Sequence, residues 1–234
     1  MSGRRGKPVH VAENLQNIRS TIRQACEKTG RNPDDITIIG VTKYVTIERT
    51  EETIAAGINN LGENRSEGFL EKYNHFRDRA TWHFIGSLQS RKVKDIIDKV
   101  DTIHSLDRVS LAKEIDKRAD HVIDCFVQVN TSGEESKHGL SKGAVIPFID
   151  SLATFQHIRI VGLMTMAPHV DDEHVLRNTF RQLADLRDTI QQRDLKYAPC
   201  NYLSMGMSND YHIAVEEGAT HIRVGSKLVG SGNE

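Results

Sequence analysis

The sequence predicts an α/β protein folded as a single (β/α)8 barrel with an extra helix in front. Short apolar runs alternate with helical patterns along the whole chain. Eight of these runs are candidate strands separated by helices, and eight such units close a parallel barrel. The length of 234 residues suits one barrel without a second domain. A doubly wound open sheet can use the same alternation, so the strand count favours the barrel without excluding that alternative.

The first helix and the first strand follow from the spacing of apolar residues. One helical face carries Leu15, Ile18, Ile22 and Ala25. Gly30 and Pro33 then end the helix. Residues 36–43 form an apolar run rich in β-branched side chains, which is typical of a parallel strand covered on both faces. Residues 46–56 are predicted to be a helix that Gly57 ends.

The alternation continues to the end of the chain. The further predicted strands are 60–64, 82–86, 102–106, 125–130, 158–166, 202–207 and 221–225. The further predicted helices are 66–79, 90–99, 110–119, 144–152, 173–192 and 210–217. The longest polar insertion is the loop 131–143. We therefore expect residues 1–234 to form one domain, with 1–8 flexible.

Composition limits the classes of partner. The net charge is −1, from 31 basic and 32 acidic residues, which offers no bulk attraction for nucleic acid. No apolar run approaches the roughly 18 residues of a membrane span. The three cysteines lie far apart without metal-type spacing and are interpreted as reduced thiols. We expect a cytoplasmic monomer that binds neither nucleic acid nor membrane.

Lys43 is the first candidate for chemistry. Functional side chains of such barrels lie at the carboxyl ends of the strands, and the first predicted strand ends at Lys43. A lysine there can simply extend its ammonium group into solvent. Alternatively, a desolvated site lowers the pKa of the amine, which then attacks a carbonyl and forms a Schiff base. Position alone leaves both interpretations open.

Glycine and serine follow the last two strands, where these barrels often bind phosphate. The seventh strand ends in SMGMS at 204–208, and the eighth in RVGS at 223–226. Backbone N–H groups and serine hydroxyls donate to phosphate oxygens, and glycine lets the backbone approach the anion. Each segment alone can be an ordinary turn. Both together favour a phosphate site.

Three further side chains are ambiguous. Arg223 can pair with a carboxylate, or donate to the ring nitrogen of a bound cofactor and leave that nitrogen unprotonated, which weakens the ring as an electron sink. Asn64 can hydrogen-bond a ligand or cap the helix predicted to begin at Ser66. His83, in an apolar run, is more typical of a hydrogen-bonded core group than of a catalyst. None of the eleven histidines falls in a metal-ligand pattern, so no metal is expected.

Seven segments, taken together, resemble the pyridoxal phosphate homeostasis protein family. In chain order they are GVTK at 40–43, LGEN at 61–64, WHFIG at 82–86 with LQS at 88–90 and Lys92, SKHG at 136–139, GLM at 162–164, LSMGMS at 203–208 and RVGS at 223–226. The resemblance covers about residues 9–230. Departures at Tyr44, Ser87 and residues 65–67 leave the rim of the site undetermined, together with the role of His83.

The resemblance implies a cofactor and a set of residues that bind it. The family resembles the barrel domain of alanine racemase without its second, β-rich domain, and its matched lysine holds pyridoxal 5′-phosphate as an internal aldimine. By position, the implied residues are Lys43 for the Schiff base, Ser208, Gly225 and Ser226 for the phosphate, Arg223 for the pyridine nitrogen, and Asn64 as a lining residue. Such proteins are regarded as non-catalytic carriers or regulators of the cofactor, with pyridoxal-phosphate-dependent apo-enzymes as recipients.

Two enzymatic alternatives remain open. A racemase-like enzyme needs an acid or base on each face of the bound amine, and a chain ending at Glu234 leaves no room for the second domain that supplies one in alanine racemase. Tyr44, Tyr202 and Tyr211 are substitutes between which the sequence does not choose. A lysine-dependent aldolase barrel without cofactor is the third interpretation, and it predicts a colourless protein.

Overall fold

Eight parallel strands form the centre of the fold. A computed structural model of the chain describes residues 10–133 and 138–230. The barrel strands are β1 Thr37–Val41, β2 Asn60–Glu63, β3 Thr81–Phe84, β4 Thr102–Leu106, β5 Ile123–Asn130, β6 Ile158–Met164, β7 Tyr202–Met207 and β8 His221–Val224. A two-residue strand, Leu140–Ser141, pairs with the end of β5. The expected flexibility of residues 1–8 lies outside the described ranges.

Strand pairing closes the sheet into a barrel. Each strand pairs in parallel with its neighbour in the chain, and β8 pairs back onto β1. In the register of β1, Ile39 lies opposite Asn60 on one side and Arg223 on the other. The closed, all-parallel order confirms the predicted (β/α)8 class and rules out the open doubly wound sheet.

Helices cover the outside of the barrel. They are α1 Val11–Thr29, α2 Ile47–Ala55, α3 Ser66–Phe76, α4 Val93–Ile96, α5 Val109–Arg118, α6 Lys142–Ser151, α7 Glu173–Gln191, α8 Tyr211–Glu216 and α9 Ser226–Val229. The extra helix α1 packs against α8 and α9, beside the last strand of the barrel. Its buried face carries the predicted residues Leu15, Ile18, Ile22 and Ala25, and Gly30 ends it at φ 68°.

Several element bounds differ from the predicted ones. The predicted helix 90–99 is a 3₁₀ turn, Ser90–Lys92, followed by the short α4. The predicted helix 66–79 divides into α3 and a 3₁₀ turn, Arg77–Arg79. The four-residue α9 was not predicted. Apart from α9 and the two-residue strand Leu140–Ser141, the differences lie at element ends, where helical geometry gives way to turns.

The apolar core lies between the barrel and its helices, but the barrel interior also holds polar groups. His83, His104, Ser204 and Arg223 are all buried. Barrel interiors are usually filled by branched apolar side chains, so this polar interior requires hydrogen-bond partners. In the described part of the chain, no helix is both long and apolar enough to cross a membrane.

Candidate cofactor site

A cavity of about 450 Å³ opens at the carboxyl ends of the strands. Its lining residues come from most of the strand ends, as the barrel architecture leads one to expect. They include all six residues singled out from the sequence: Lys43, Asn64, Ser208, Arg223, Gly225 and Ser226. Residues separated by up to 183 positions in the chain therefore face one space of a size that suits a small cofactor.

Lys43 lies in a tight turn that directly follows β1. The Val45 N–H donates to the Thr42 carbonyl over 3.2 Å, and Tyr44 has φ 69°. A positive φ at the third turn position is typical of a type II turn, which usually has glycine there. Lys43 is exposed, and its Nζ lies 5.7 Å from the centroid of the Tyr44 ring. Of the two interpretations left open by the sequence, the exposed side chain agrees with a lysine that extends its ammonium group into solvent.

The residue before the lysine is held by a buried ion pair that the sequence did not indicate. Lys72 Nζ donates to Glu63 Oε1 and to the Thr42 carbonyl, each over 2.7 Å. The Thr42 hydroxyl donates to the same Glu63 oxygen over 2.6 Å. The Lys72 and Glu63 side chains are only 5% and 2% exposed. These contacts join β1, β2 and α3 at the base of the turn formed by residues 42–45, which is called the lysine turn below.

The two Gly/Ser loops meet as predicted. Ser208 Oγ accepts the N–H groups of Gly225 and Lys227 at 3.3 and 3.4 Å. A Cβ at Gly225 would come no closer than 3.5 Å to Val41, so packing within the chain does not require glycine there. Backbone donors, a hydroxyl and an uncrowded glycine form a suitable cradle for an oxyanion.

Arg223 is a buried cation at the floor of the cavity. Its NH1 donates to Ser204 Oγ over 2.6 Å and its NH2 to the Thr165 carbonyl over 2.9 Å. No carboxylate of the described residues forms an ion pair with it, so the usual carboxylate partnership considered from the sequence is not present. Burial lowers the pKa of Arg223 to about 10, an effect that Asp210 partly offsets. The guanidinium therefore stays charged at neutral pH.

A series of hydrogen bonds leads from this arginine into the barrel interior. Ser204 Oγ contacts His104 Nδ1 at 2.8 Å, His104 Nε2 contacts His83 Nδ1 at 2.9 Å, and His83 Nε2 contacts the Asn60 side-chain oxygen at 2.9 Å. Burial, with nearby His221, lowers the pKa of His83 to about 3, and burial also lowers the pKa of His104 well below its usual range. Both imidazoles are therefore neutral. Because the Asn60 oxygen accepts, each neutral imidazole donates toward Asn60 and accepts a hydrogen bond from the Arg223 side. Every hydrogen-bond donor in this series therefore points away from Arg223.

The structure decides two of the ambiguous positions. His83 does not line the cavity but lies inside the barrel as a hydrogen-bonded core group, the interpretation that its apolar run favoured. Asn64 lines the cavity, and α3 has Arg65 at its N-cap without a side-chain cap bond, so Asn64 does not cap that helix. Gly86 lets the end of β3 pass close to Asn64, because a Cβ there would lie 2.2 Å from the Asn64 carbonyl oxygen.

Other lining residues were not predicted as site residues. They include Gln128, His138, Met166, His169 and Asp210. Gln128 near the end of β5 could have been found by applying the strand-end rule to every strand. Asp210 accepts the Met207 N–H over 2.6 Å and thereby closes the loop after β7. Across the described ranges, no group of three or more His, Cys, Asp or Glu side chains is arranged to hold a metal ion.

The fold and its cavity define a class of barrel. The family described as alanine racemase, N-terminal domain, matches residues 13–232. An alanine racemase from Corynebacterium glutamicum has a similar fold, with a TM-score of 0.68 and 13% identity over 93% of this chain and 59% of that one. At this identity the likeness concerns the fold alone.

Within that class, the chain belongs to the pyridoxal phosphate homeostasis proteins. A protein of that name from Aquifex aeolicus is 39% identical over 226 residues, which cover 95% of this chain and 98% of the relative. PipY from Synechococcus elongatus, solved with pyridoxal phosphate bound, has a TM-score of 0.83 and 31% identity over 94% of this chain and 100% of PipY. The family resemblance drawn from the motifs is confirmed.

Proposed function

We propose that this protein binds pyridoxal 5′-phosphate as a Schiff base on Lys43 and acts in the intracellular homeostasis of that cofactor. The observation that carries the proposal is that an amine, an anion cradle and a buried cation, which has no carboxylate partner among the described residues, converge on one cavity. When bound, pyridoxal phosphate supplies an aldehyde that condenses with amines and an aromatic ring that can take up electrons. The donor groups of the cavity fit the anionic and accepting parts of this molecule.

The cradle is the proposed phosphate site. Ser208 and Ser226 contribute hydroxyl groups, and Gly225 leaves the backbone open to approach. Neighbouring N–H groups already converge on one oxygen atom, Ser208 Oγ. A phosphate oxygen can accept from the same donors.

The cation is the proposed partner of the pyridine nitrogen. Arg223 has donors only, and it has no carboxylate partner among the residues the structure describes. A permanent positive charge next to the ring nitrogen opposes its protonation, which keeps electron withdrawal by the ring weak. This arrangement favours holding the cofactor over stabilising a carbanion. Asn64 lines the same cavity and is the proposed further contact with the cofactor.

A racemase-like enzyme is the alternative function. Proton transfer on both faces of a bound amine needs a second acid or base beside Lys43. Tyr202 opens β7 at the opposite end of the barrel from the cavity, and Tyr211 is buried in α8. Tyr44 stays a candidate for that role, because its ring centroid lies 5.7 Å from Lys43 Nζ. His138 and His169, which line the cavity, are further candidates. The non-catalytic role proposed here is supported by the relatives named as homeostasis proteins.

The proposal is tested by an absorption spectrum before and after borohydride, followed by peptide mass mapping. We expect a visible band that borohydride removes, with the reduced adduct on the Lys43 peptide. Lys43→Ala should abolish the band, whereas Lys28→Ala, at an exposed lysine of α1, should leave it unchanged. An adduct mapped to another lysine contradicts the assignment of the Schiff base to Lys43. No band after pyridoxal phosphate is added contradicts the proposal as a whole and favours the cofactor-free aldolase barrel.

The same preparations separate carrier from racemase. We expect no racemisation of common amino acids above the level of free pyridoxal phosphate. Rapid racemisation that Lys43→Ala abolishes would establish the enzymatic alternative. Delivery to apo-enzymes, a monomeric state and a cytoplasmic location stay predictions from the sequence.

A further inference from the structure

The ion pair at the base of the lysine turn is unusual because it lies in the barrel wall and not on the surface. Lys72 and Glu63 are nearly inaccessible, with side chains 5% and 2% exposed. The free energy needed to desolvate two charges cancels much of the free energy gained from their attraction. Apolar residues of similar volume often stabilise a fold equally well. Global stability is therefore a weak reason for a charged pair at this place.

The partners of the pair indicate a more specific role. Besides Glu63, the Lys72 ammonium group contacts the Thr42 carbonyl oxygen, 2.7 Å away. That carbonyl also accepts the Val45 N–H that closes the turn around Lys43. Glu63 in turn holds the Thr42 hydroxyl. Both the backbone and the side chain of the residue before Lys43 are thus fixed by charged, buried groups.

The turn itself needs such fixing. Tyr44 adopts φ 69°, a left-handed conformation that costs a non-glycine residue about 1 kcal/mol or more. Tyr44 is exposed and is not packed into the core, so contacts of its own side chain with the core do not enforce this conformation. The first residue of the turn, Thr42, is instead held by charge-assisted hydrogen bonds from Lys72 and to Glu63.

We propose that Lys72 and Glu63 are positioning residues, which hold Thr42 so that the Lys43 side chain is directed into the cavity. The proposal rests on the proposed function, since it assigns a role in the attachment of the cofactor to Lys43. Neither residue lines the cavity, so neither contacts the cofactor. Their effect is on the rate at which the Lys43 amine reaches the aldehyde carbon, because misplacing a reacting group slows the bond-forming step.

The test is the double variant Lys72→Met/Glu63→Met, which removes both charges and leaves neither one unpaired. Cofactor-free protein is mixed with pyridoxal phosphate, quenched with borohydride at increasing times, and the Lys43 adduct is quantified by mass spectrometry. At saturating cofactor we expect the rate to fall by about tenfold or more. The half-saturating concentration should change little, because the phosphate cradle and Arg223 are intact. Arg177→Met, which breaks two partly buried ion pairs of α7 with Glu216 and Glu217 at the end of α8, is the control and should react at the wild-type rate.

A second pair of variants keeps the test decisive if the double variant does not fold. Thr42→Val removes only the hydroxyl that donates to Glu63, and Thr42→Ser retains it. We expect slower attachment in Thr42→Val and a wild-type rate in Thr42→Ser. A wild-type rate in Thr42→Val, or in the folded double variant, overturns the positioning role while leaving the proposed function intact. A wild-type protein that never forms the Lys43 adduct overturns both.

Discussion

Acidification is expected to destabilise the folded protein through the histidines inside the barrel. Burial, with nearby His221, lowers the pKa of His83 to about 3. Burial, with nearby Arg223, lowers the pKa of His221 to about 4. In the unfolded chain each titrates near pH ~6.5, so the unfolded state binds more protons below that pH. Stability is therefore full above this pH and is lost as the pH falls towards the folded values.

The magnitude follows from the two pKa values of each histidine. Between pH 7 and pH 5, one such group lowers the free energy of unfolding by about 2 kcal/mol. His83 and His221 together account for about 4 kcal/mol, a large share of the roughly 5–15 kcal/mol that stabilises a typical domain. His104 acts in the same direction, because burial lowers its pKa as well.

The assay is equilibrium urea unfolding at pH 7 and pH 5, followed by the fluorescence of the single, buried Trp82. His83→Gln keeps hydrogen-bonding capacity but cannot titrate, so its loss of stability on acidification should be smaller than that of the wild type by about 2 kcal/mol. His174→Gln, at an exposed histidine of α7, should behave as the wild type does. Equal losses in the wild type and His83→Gln would show that His83 does not contribute to the acid sensitivity of the fold.

Two further predictions concern buried groups away from the cavity. The three cysteines are buried and free, and burial raises the pKa of Cys200 to about 12, so the folded protein should react with a thiol reagent at least about 100-fold more slowly than the urea-unfolded protein. Rapid labelling without denaturant would contradict this. Gly162→Ala should lower the free energy of unfolding by about 2 kcal/mol or more, since its Cβ would lie 2.2 Å from the Tyr202 carbonyl oxygen. Gly143→Ala in α6, which meets nothing within 4 Å, is the control and should not destabilise.

The positions that could be predicted are those for which local sequence determines location. A lysine at the end of an apolar run lies at the mouth of a barrel once the run is a strand, and this placed Lys43 correctly. Gly225 and Ser208 were found in the same way, from the loops after the last two strands. The bounds of α4 were missed because the apolar spacing of Val93 and Ile96 continues into a turn, where periodicity no longer distinguishes a helix.

The supporting residues could not be predicted, because their partners are set by closure of the barrel. His104 contacts Ser204, 100 residues away, and only the arrangement of β4 and β7 around the interior brings them together. Lys72 lies on a helix that a sequence pattern treats as a solvent-facing amphipathic element, yet its ammonium group is buried against the end of β1. Patterns of apolar spacing do not contain this information.

The hydrogen-bond partners of Arg223 are uncharged, and this links the pH dependence of the fold with the positive charge in the cavity. A carboxylate partner would neutralise the guanidinium, whereas the Ser204 hydroxyl and the Thr165 carbonyl accept its hydrogen bonds without adding charge. Ser204 is held by His104, and His104 by His83, both kept neutral by burial. Arg223 therefore keeps its positive charge, and under the proposed function this charge opposes protonation of the pyridine nitrogen. Protonating His83 or His104 would place a second positive charge in the hydrogen-bonded series that supports Arg223. The neutral histidines that leave the charge of Arg223 uncompensated therefore also make the fold sensitive to acid.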